Sequence, residues 1–257
     1  MTMSPFTTKT NTLVVGLLVF LSSTQLSAQG PKNSKDLEGW SAVQIDVKAT
    51  ESLSFSISEH LRYKDDISTL STYFTQLETS YEIFKDFELG GGVRFIKKND
   101  DVGNKQGIES YFRYQIDASY KHEVKLLNLS YRLRYQNKNE LGFSEEEGDI
   151  AKEQLRFMAA IGYKLDPIRI VFKLKAELFG AISKQEMEDE EGGRFLTESG
   201  INKINRNRFT LMASRKFENI GKFAIFYRIQ EDLKEREGTV SKSIIGFKYS
   251  YGLDFTK

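Results

Sequence analysis

From Trp40 to Phe255 the chain repeatedly alternates large apolar and polar side chains, with polar breaks between the alternating stretches. A period of two residues indicates strands with two unlike faces. The pattern predicts eleven strands: Trp40–Ala49, Ser52–Tyr63, Thr72–Ile83, Phe87–Ile96, Ile108–Tyr120, Glu123–Gln136, Ile150–Lys164, Ile168–Phe179, Ile204–Phe217, Lys222–Gln230 and Thr239–Phe255. The sixth contains NLSYRLRYQ, where Leu129, Tyr131, Leu133 and Tyr135 share one face and Arg132 and Arg134 share the other. No helical period competes with these strands beyond the N-terminal region.

The breaks alternate in length. Thr50–Glu51, Phe84–Asp86, Lys121–His122, Leu165–Pro167 and Glu218–Gly221 are short, while Lys64–Ser71, Lys97–Gly107, Asn137–Asp149, Gly180–Lys203 and Glu231–Gly238 are longer. This order fits an antiparallel meander with two unlike ends, as in outer-membrane barrels. Near the short turns the apolar face carries Tyr81, Phe87, Tyr120, Tyr163, Phe217, Phe223 and Tyr251, a candidate membrane-interface girdle. A secreted soluble barrel with its apolar face inward is the competing reading, and it gives no reason for aromatics at one level. The fold expected is all-β: an antiparallel up-and-down transmembrane β-barrel. Single-chain bacterial barrels have even strand numbers, so about twelve strands are expected, with the missing one sought in Gly30–Gly39. One charge, Glu59, falls on the apolar face and predicts a local bulge or register change.

Composition narrows the class. Mean hydropathy is −0.45, which excludes a multi-helix membrane protein. The single apolar run, LVVGLLVFL from Leu13 to Leu21, follows Lys9 and precedes small residues, which reads as a signal peptide over residues 1–28. Residues 29–39 then form a lead segment and residues 40–257 the barrel. Loss of Lys9 leaves 36 basic and 36 acidic side chains, so no net charge points to nucleic acid. There is no cysteine for disulfides or thiolate metal sites.

The chain resembles the outer-membrane barrels of Gram-negative bacteria catalogued as domain of unknown function 2490. The resemblance lies in the Trp40 start, SEHLRY with Arg62, GGGVRF, IESYFRYQ with Glu109 and Arg113, the paired arginines of YRLRYQ, and NRNRF. It implies an outer-membrane barrel without an established activity, and it supplies no catalytic residue.

The polar faces supply the candidate lumen lining: Glu78, Glu82, Arg94, Glu109, Arg113, Arg132, Arg134, Arg156, Lys173, Lys175, Glu177, Arg208 and Arg228. Cations outnumber carboxylates, so a pore would favour anions. The same residues could equally seal the barrel as a ladder of ion pairs. Gly90, Gly91 and Gly92 are expected to curve the wall. The acidic stretches Asn137–Asp149 and Ala181–Lys203 match no calcium-loop spacing and read as solvated charge. His60 and His122 lack the further ligands a zinc site needs, and no metal or other cofactor is expected. Ser56 and Ser58 share the polar side of the His60 strand without a visible orienting group, so no catalytic residue is assigned.

Three functions therefore stand at the level of sequence. They are a narrow channel or transport protein for small solutes, with a preference for anions, an outer-membrane lipid- or lipopolysaccharide-modifying enzyme, and a closed structural barrel whose loops bind a partner. The expected surroundings are outer-membrane lipid and the barrel assembly machinery, for which the aromatic ending SYGLDFTK looks like a signal. The barrel is expected to be a monomer.

Overall fold

The computed structural model describes residues 36–100, 107–142, 152–188, 194–234 and 238–256. The expected signal peptide and most of the lead segment lie outside the described residues. Eleven strands are described: β1 (Asp36–Lys48), β2 (Leu53–Lys64), β3 (Thr69–Phe84), β4 (Phe87–Asp100), β5 (Gly107–Val124), β6 (Leu127–Glu140), β7 (Lys152–Leu165), β8 (Ile170–Glu188), β9 (Arg194–Phe217), β10 (Gly221–Lys234) and β11 (Gly238–Asp254). Each pairs antiparallel with its sequence neighbour, and β1 closes the barrel by pairing parallel with β11.

This closure corrects the expected twelve-strand, wholly antiparallel barrel. With eleven strands in a meander, the first and last run in the same direction and can join only in parallel. The described part of the supposed extra strand, Asp36–Gly39, is the start of β1, so the barrel begins before Trp40. Side chains lace this seam from within: Lys242 Nζ donates to Glu38 Oε1 at 2.7 Å, and Lys248 Nζ to Gln44 Oε1 at 2.6 Å.

Two of the expected long connections are also shorter. Between β2 and β3, Asp65, Asp66 and Ile67 adopt positive φ in a tight turn, and Ile67 N–H donates to the Leu37 carbonyl. The Ile67 side chain then covers Gly39, where a Cβ would meet it at 2.8 Å. On the opposite side, β8 and β9 stay paired out to Glu188–Arg194, through most of the stretch expected to be an acidic loop. Backbone pairing there proceeds without the apolar alternation on which the sequence reading depended.

Where side chains are described, the two faces of the barrel wall are unlike. Among the described residues, seven apolar side chains are buried, against fourteen polar or charged ones. The apolar residues of the alternation point outward; Ile116 and Ile225, for example, are 60% and 63% exposed. This is the reverse of a water-soluble domain, whose apolar groups line the core. Outward aromatics gather toward the short-turn end, where Phe87 pairs with Tyr120 and Tyr120 with Tyr131 across β4, β5 and β6. Phe223 packs on Phe217 at 5.8 Å and on Tyr249 at 5.0 Å. Tyr81, Tyr163 and Tyr251 are exposed at the same end.

Glu59 is a second correction. The β2–β3 register is continuous through it, and the only irregularity falls later, at Arg62/Tyr63. Glu59 remains on the outward face, where Thr75 Oγ1 donates to its carboxylate at 2.7 Å. The cross-strand hydroxyl supplies a polar partner without breaking the ladder.

Candidate functional site

Among the described residues, two chambers are found in the lumen. The larger, about 890 Å³, lies toward the longer connections. The smaller, about 550 Å³, lies toward the short turns. Glu78, Arg132 and Arg134 line both, and so mark the level that divides them.

The divider is built by register. Arg134 on β6 stands directly across from Asp117 on β5. Its guanidinium grips that carboxylate with two bonds, Nε to Oδ1 at 2.5 Å and Nη2 to Oδ2 at 2.8 Å. It also donates to Gln115 Oε1 at 2.9 Å and to Glu78 Oε1 at 3.2 Å. Gln115 Nε2 donates to the same Glu78 oxygen, and Arg113 Nη2 donates to Gln115 Oε1 at 2.7 Å. A planar fork satisfied on several sides holds its geometry firmly.

Glu78 reaches this network from β3 by passing over β4. Its cross-strand partner is Gly92, whose own next partner is Gln115. A Cβ on Gly92 would stand 2.9 Å from Glu78 Cγ and 2.7 Å from the Leu77 carbonyl oxygen. Gly92 therefore clears a path for one carboxylate. The β3–β4 and β4–β5 registers run unbroken through Gly90–Gly92, so no bulge accounts for them.

Arg132 has a different fate from Arg134. Its Nη2 lies 4.0 Å from Glu177 and 3.8 Å from Met158 Sδ, and its Nε has no partner. Glu177 on β8, only 3% exposed, also pairs with Arg156 and lies 4.0 Å from Arg208. Arg206 pairs with Asp232. Thus Asp117, Glu177 and Asp232 supply carboxylates to Arg134, Arg156 and Arg206.

Charge separates the chambers. The smaller is balanced, with Lys48, Lys121, Arg132, Arg134 and Lys216 against Asp46, Glu78, Glu88, Asp117 and Asp254. The larger has fourteen arginines and lysines in its lining and only two carboxylates, Glu78 and Glu153. Aromatic rings fix several of these cations. The Arg62 guanidinium stacks 3.9 Å from the Trp40 ring centre and 4.7 Å from that of Phe74. Arg94 stacks on Phe74 at 3.9 Å, Arg228 on Trp40 at 4.8 Å, and Arg156 and Arg208 on Phe179 at 4.8 and 4.7 Å. Each stack contributes about 0.5–2 kcal/mol, increasing as the site loses water.

Of the candidates read from sequence, Glu78, Arg94, Arg113, Arg132, Arg134, Arg156, Lys175, Arg208 and Arg228 line the chambers, and Glu177 lies among them. Three others lie apart. Glu82 is exposed at the short-turn rim opposite Glu88. Glu109 binds Lys98 at 3.0 Å and the Tyr111 hydroxyl at 2.6 Å, toward the other rim. Lys173 pairs with Gly162 and Met212 on the short-turn side of Lys175. Trp40, Arg62, Phe74, Gln115, Asp117, Phe179 and Arg206 belong to the site without having been singled out as lining. Arg62 shares its parity with Ser58 and His60, a signal already present in the sequence. Phe74 and Phe179 are aromatics on otherwise polar faces, which alternation alone does not explain.

His60 Nε2 lies 3.0 Å from Ser58 Oγ, and its ring stacks on Phe74 at 4.3 Å. The pair faces the lumen and not the outward surface.

No curated protein matches the chain. Residues 37–237, most of the chain and all of the described strands except β11 and the first residue of β1, match the profile described as "Protein of unknown function (DUF2490)", and the protein belongs to that family.

Proposed function

We propose that the protein is an outer-membrane β-barrel that admits small anions into its lumen and forms a narrow, anion-selective pathway. The observation that carries this reading is the larger chamber, lined by fourteen cationic side chains and two carboxylates; Glu109, Asp117, Glu177 and Asp232 pair with four of those cations from outside the lining, and a cationic excess remains. In a narrow lumen with low-dielectric walls, such an excess lowers the energy of an anion and repels cations. The divider at Arg134 is the constriction, and the balanced chamber beyond it is the exit.

The membrane location rests on the apolar outward face, the aromatics near the short turns and the signal-peptide pattern. In that setting the partners are outer-membrane lipid and the assembly machinery that inserts β11. The lumen-facing His60–Ser58 pair does not favour lipid hydrolysis.

Two measurements test the reading. Membrane fractions, run with and without boiling, are expected to contain a heat-modifiable band; a soluble product without a mobility shift contradicts the location. In planar bilayers with a salt gradient, the reversal potential is expected to show anion preference. Cation selectivity, or absence of conductance from correctly folded barrel, contradicts the pathway.

A further inference from the structure

We infer that an arc of four arginines with no carboxylate partner in direct contact, Arg62, Arg94, Arg113 and Arg228, is a binding site for a compact multivalent oxyanion. The inference rests on the anion reading of the lumen and deepens it by naming the charge and shape of the solute.

The rest of the lumen provides an internal comparison. Arg134, Arg156 and Arg206 are each matched by a carboxylate: Asp117, Glu177 and Asp232. Among the described residues, no carboxylate pairs with any of the four in the arc. Arg94 donates to Gln76, Arg113 to Gln115, and Arg228 Nε to Thr210 Oγ1 at 2.9 Å. Arg62 stacks on Trp40 and Phe74, and its Nε has no partner. The partners are therefore amides, a hydroxyl and rings. They orient the guanidinium groups without cancelling their charge.

The four are also brought together. Arg94 and Arg113 are direct cross-strand partners on β4 and β5. Arg62 and Arg94 share the Phe74 ring, and Arg62 and Arg228 share the Trp40 ring. All four line the same chamber, and its volume of about 890 Å³ is that of a small-molecule site. Like charges directly opposite one another on a sheet are unfavourable. Holding several of them without a directly paired carboxylate serves folding less well than neutral glutamines would. It suits a ligand that brings two or more negative charges and several acceptor oxygens.

Guanidinium forks match the paired oxygens of phosphoryl and carboxylate groups, and chloride offers no such geometry. Because Phe74 is almost fully buried, its ring serves as a post for the arginines and not as a platform for the ligand. The solute class is therefore a small oligophosphate or polycarboxylate, and no aromatic moiety is required.

The test is calorimetric titration of the purified full-length barrel in detergent with pyrophosphate, citrate, acetate and chloride at matched ionic strength. Saturable binding of pyrophosphate or citrate is expected, with neither acetate nor chloride competing at equal concentration. The tighter of the two probes identifies phosphoryl or carboxylate chemistry as the source. Arg62→Gln and Arg94→Gln are each expected to weaken binding about tenfold or more, the loss of one charge-assisted bond. Arg169→Gln, at an exposed turn outside the lumen, is expected to leave affinity unchanged. Retention of the heat-modifiable band shows that each variant is folded, and Arg94→Lys provides a second, charge-conserving variant expected to bind with intermediate affinity. Multivalent anions that bind no better than chloride, or binding indifferent to both glutamine substitutions, overturn the site. Anion-selective conductance persisting in that case leaves the proposed pathway standing, whereas cation selectivity removes the pathway itself.

Discussion

Gly92 lies directly across from Glu78, and the space a Cβ would fill at position 92 is taken by the Glu78 side chain and the Leu77 carbonyl. This relationship lets a carboxylate on β3 cross β4 and join Gln115 and Arg134. Gly92→Ala should therefore push Glu78 out of the divider and destabilise the barrel by about 1–3 kcal/mol, the usual cost of overpacking. Gly91→Ala is the control, since its nearest neighbour stands at 3.6 Å. Urea unfolding midpoints of the lipid-reconstituted barrel should fall for the first variant and stay near the parent value for the second. Equal midpoints for both would contradict the role assigned to Gly92.

Arg134 and Asp117 form a bidentate pair at the divider, and both are largely buried. Removing one partner leaves a charge without its counterpart. Arg134→Met alone should cost about 3–5 kcal/mol. The double variant Arg134→Met/Asp117→Leu should lose less than the two single variants together, with a coupling of about 1–3 kcal/mol. A double-mutant cycle by equilibrium unfolding measures this. Strict additivity would mean that the pair is not coupled.

Much of this architecture is legible in the chain. Alternation marks a stretch of sequence for each of the eleven strands, and it puts Arg132 and Arg134 on one face. It cannot distinguish their fates, because those depend on which residue each meets across the ladder. Arg134 meets Asp117 on β5, whereas Arg132 approaches Glu177 from two strands away. The closing partner of β1 is likewise set more than 200 residues away in sequence, and no local pattern encodes a parallel seam. The β8–β9 extension is not legible in the sequence, because residues 181–188 and 194–203 carry no sustained two-residue apolar alternation. Arg62 was readable by parity, but its aromatic posts, Trp40 and Phe74, come from neighbouring strands and become evident only once register is known.

Glu59 tests which medium meets the outward face. Its carboxylate is exposed among apolar neighbours and held by the Thr75 hydroxyl. In a bilayer a lipid-facing charge is costly, by somewhat less than the roughly 2–4 kcal/mol of a midplane arginine or lysine. Glu59→Leu should then raise stability in lipid vesicles by about 1 kcal/mol, read as a higher unfolding midpoint. If the outward face met water, the same change would leave the midpoint unaltered and reduce solubility, and the membrane location would be wrong.

The parallel seam can be tested with two cysteines, since the chain has none of its own. Gln44 on β1 and Ser250 on β11 are direct partners in the eleven-strand closure. Adjacent strands lie about 4.8 Å apart, within reach of a disulfide or a short thiol cross-linker. A twelfth strand between them would double the spacing to about 10 Å and place the pair beyond a disulfide. Gln44→Cys/Ser250→Cys should therefore cross-link on mild oxidation of the folded barrel. The product should run as a closed loop on non-reducing gels even after boiling, and revert on reduction. A control pair, Gln44→Cys with Ser214→Cys, places the second thiol on β9, beyond β10 and β11, and should stay reduced. Failure of the seam pair to cross-link in heat-modifiable protein would reopen the strand count, because only an intervening strand or a different register separates those positions in a closed barrel.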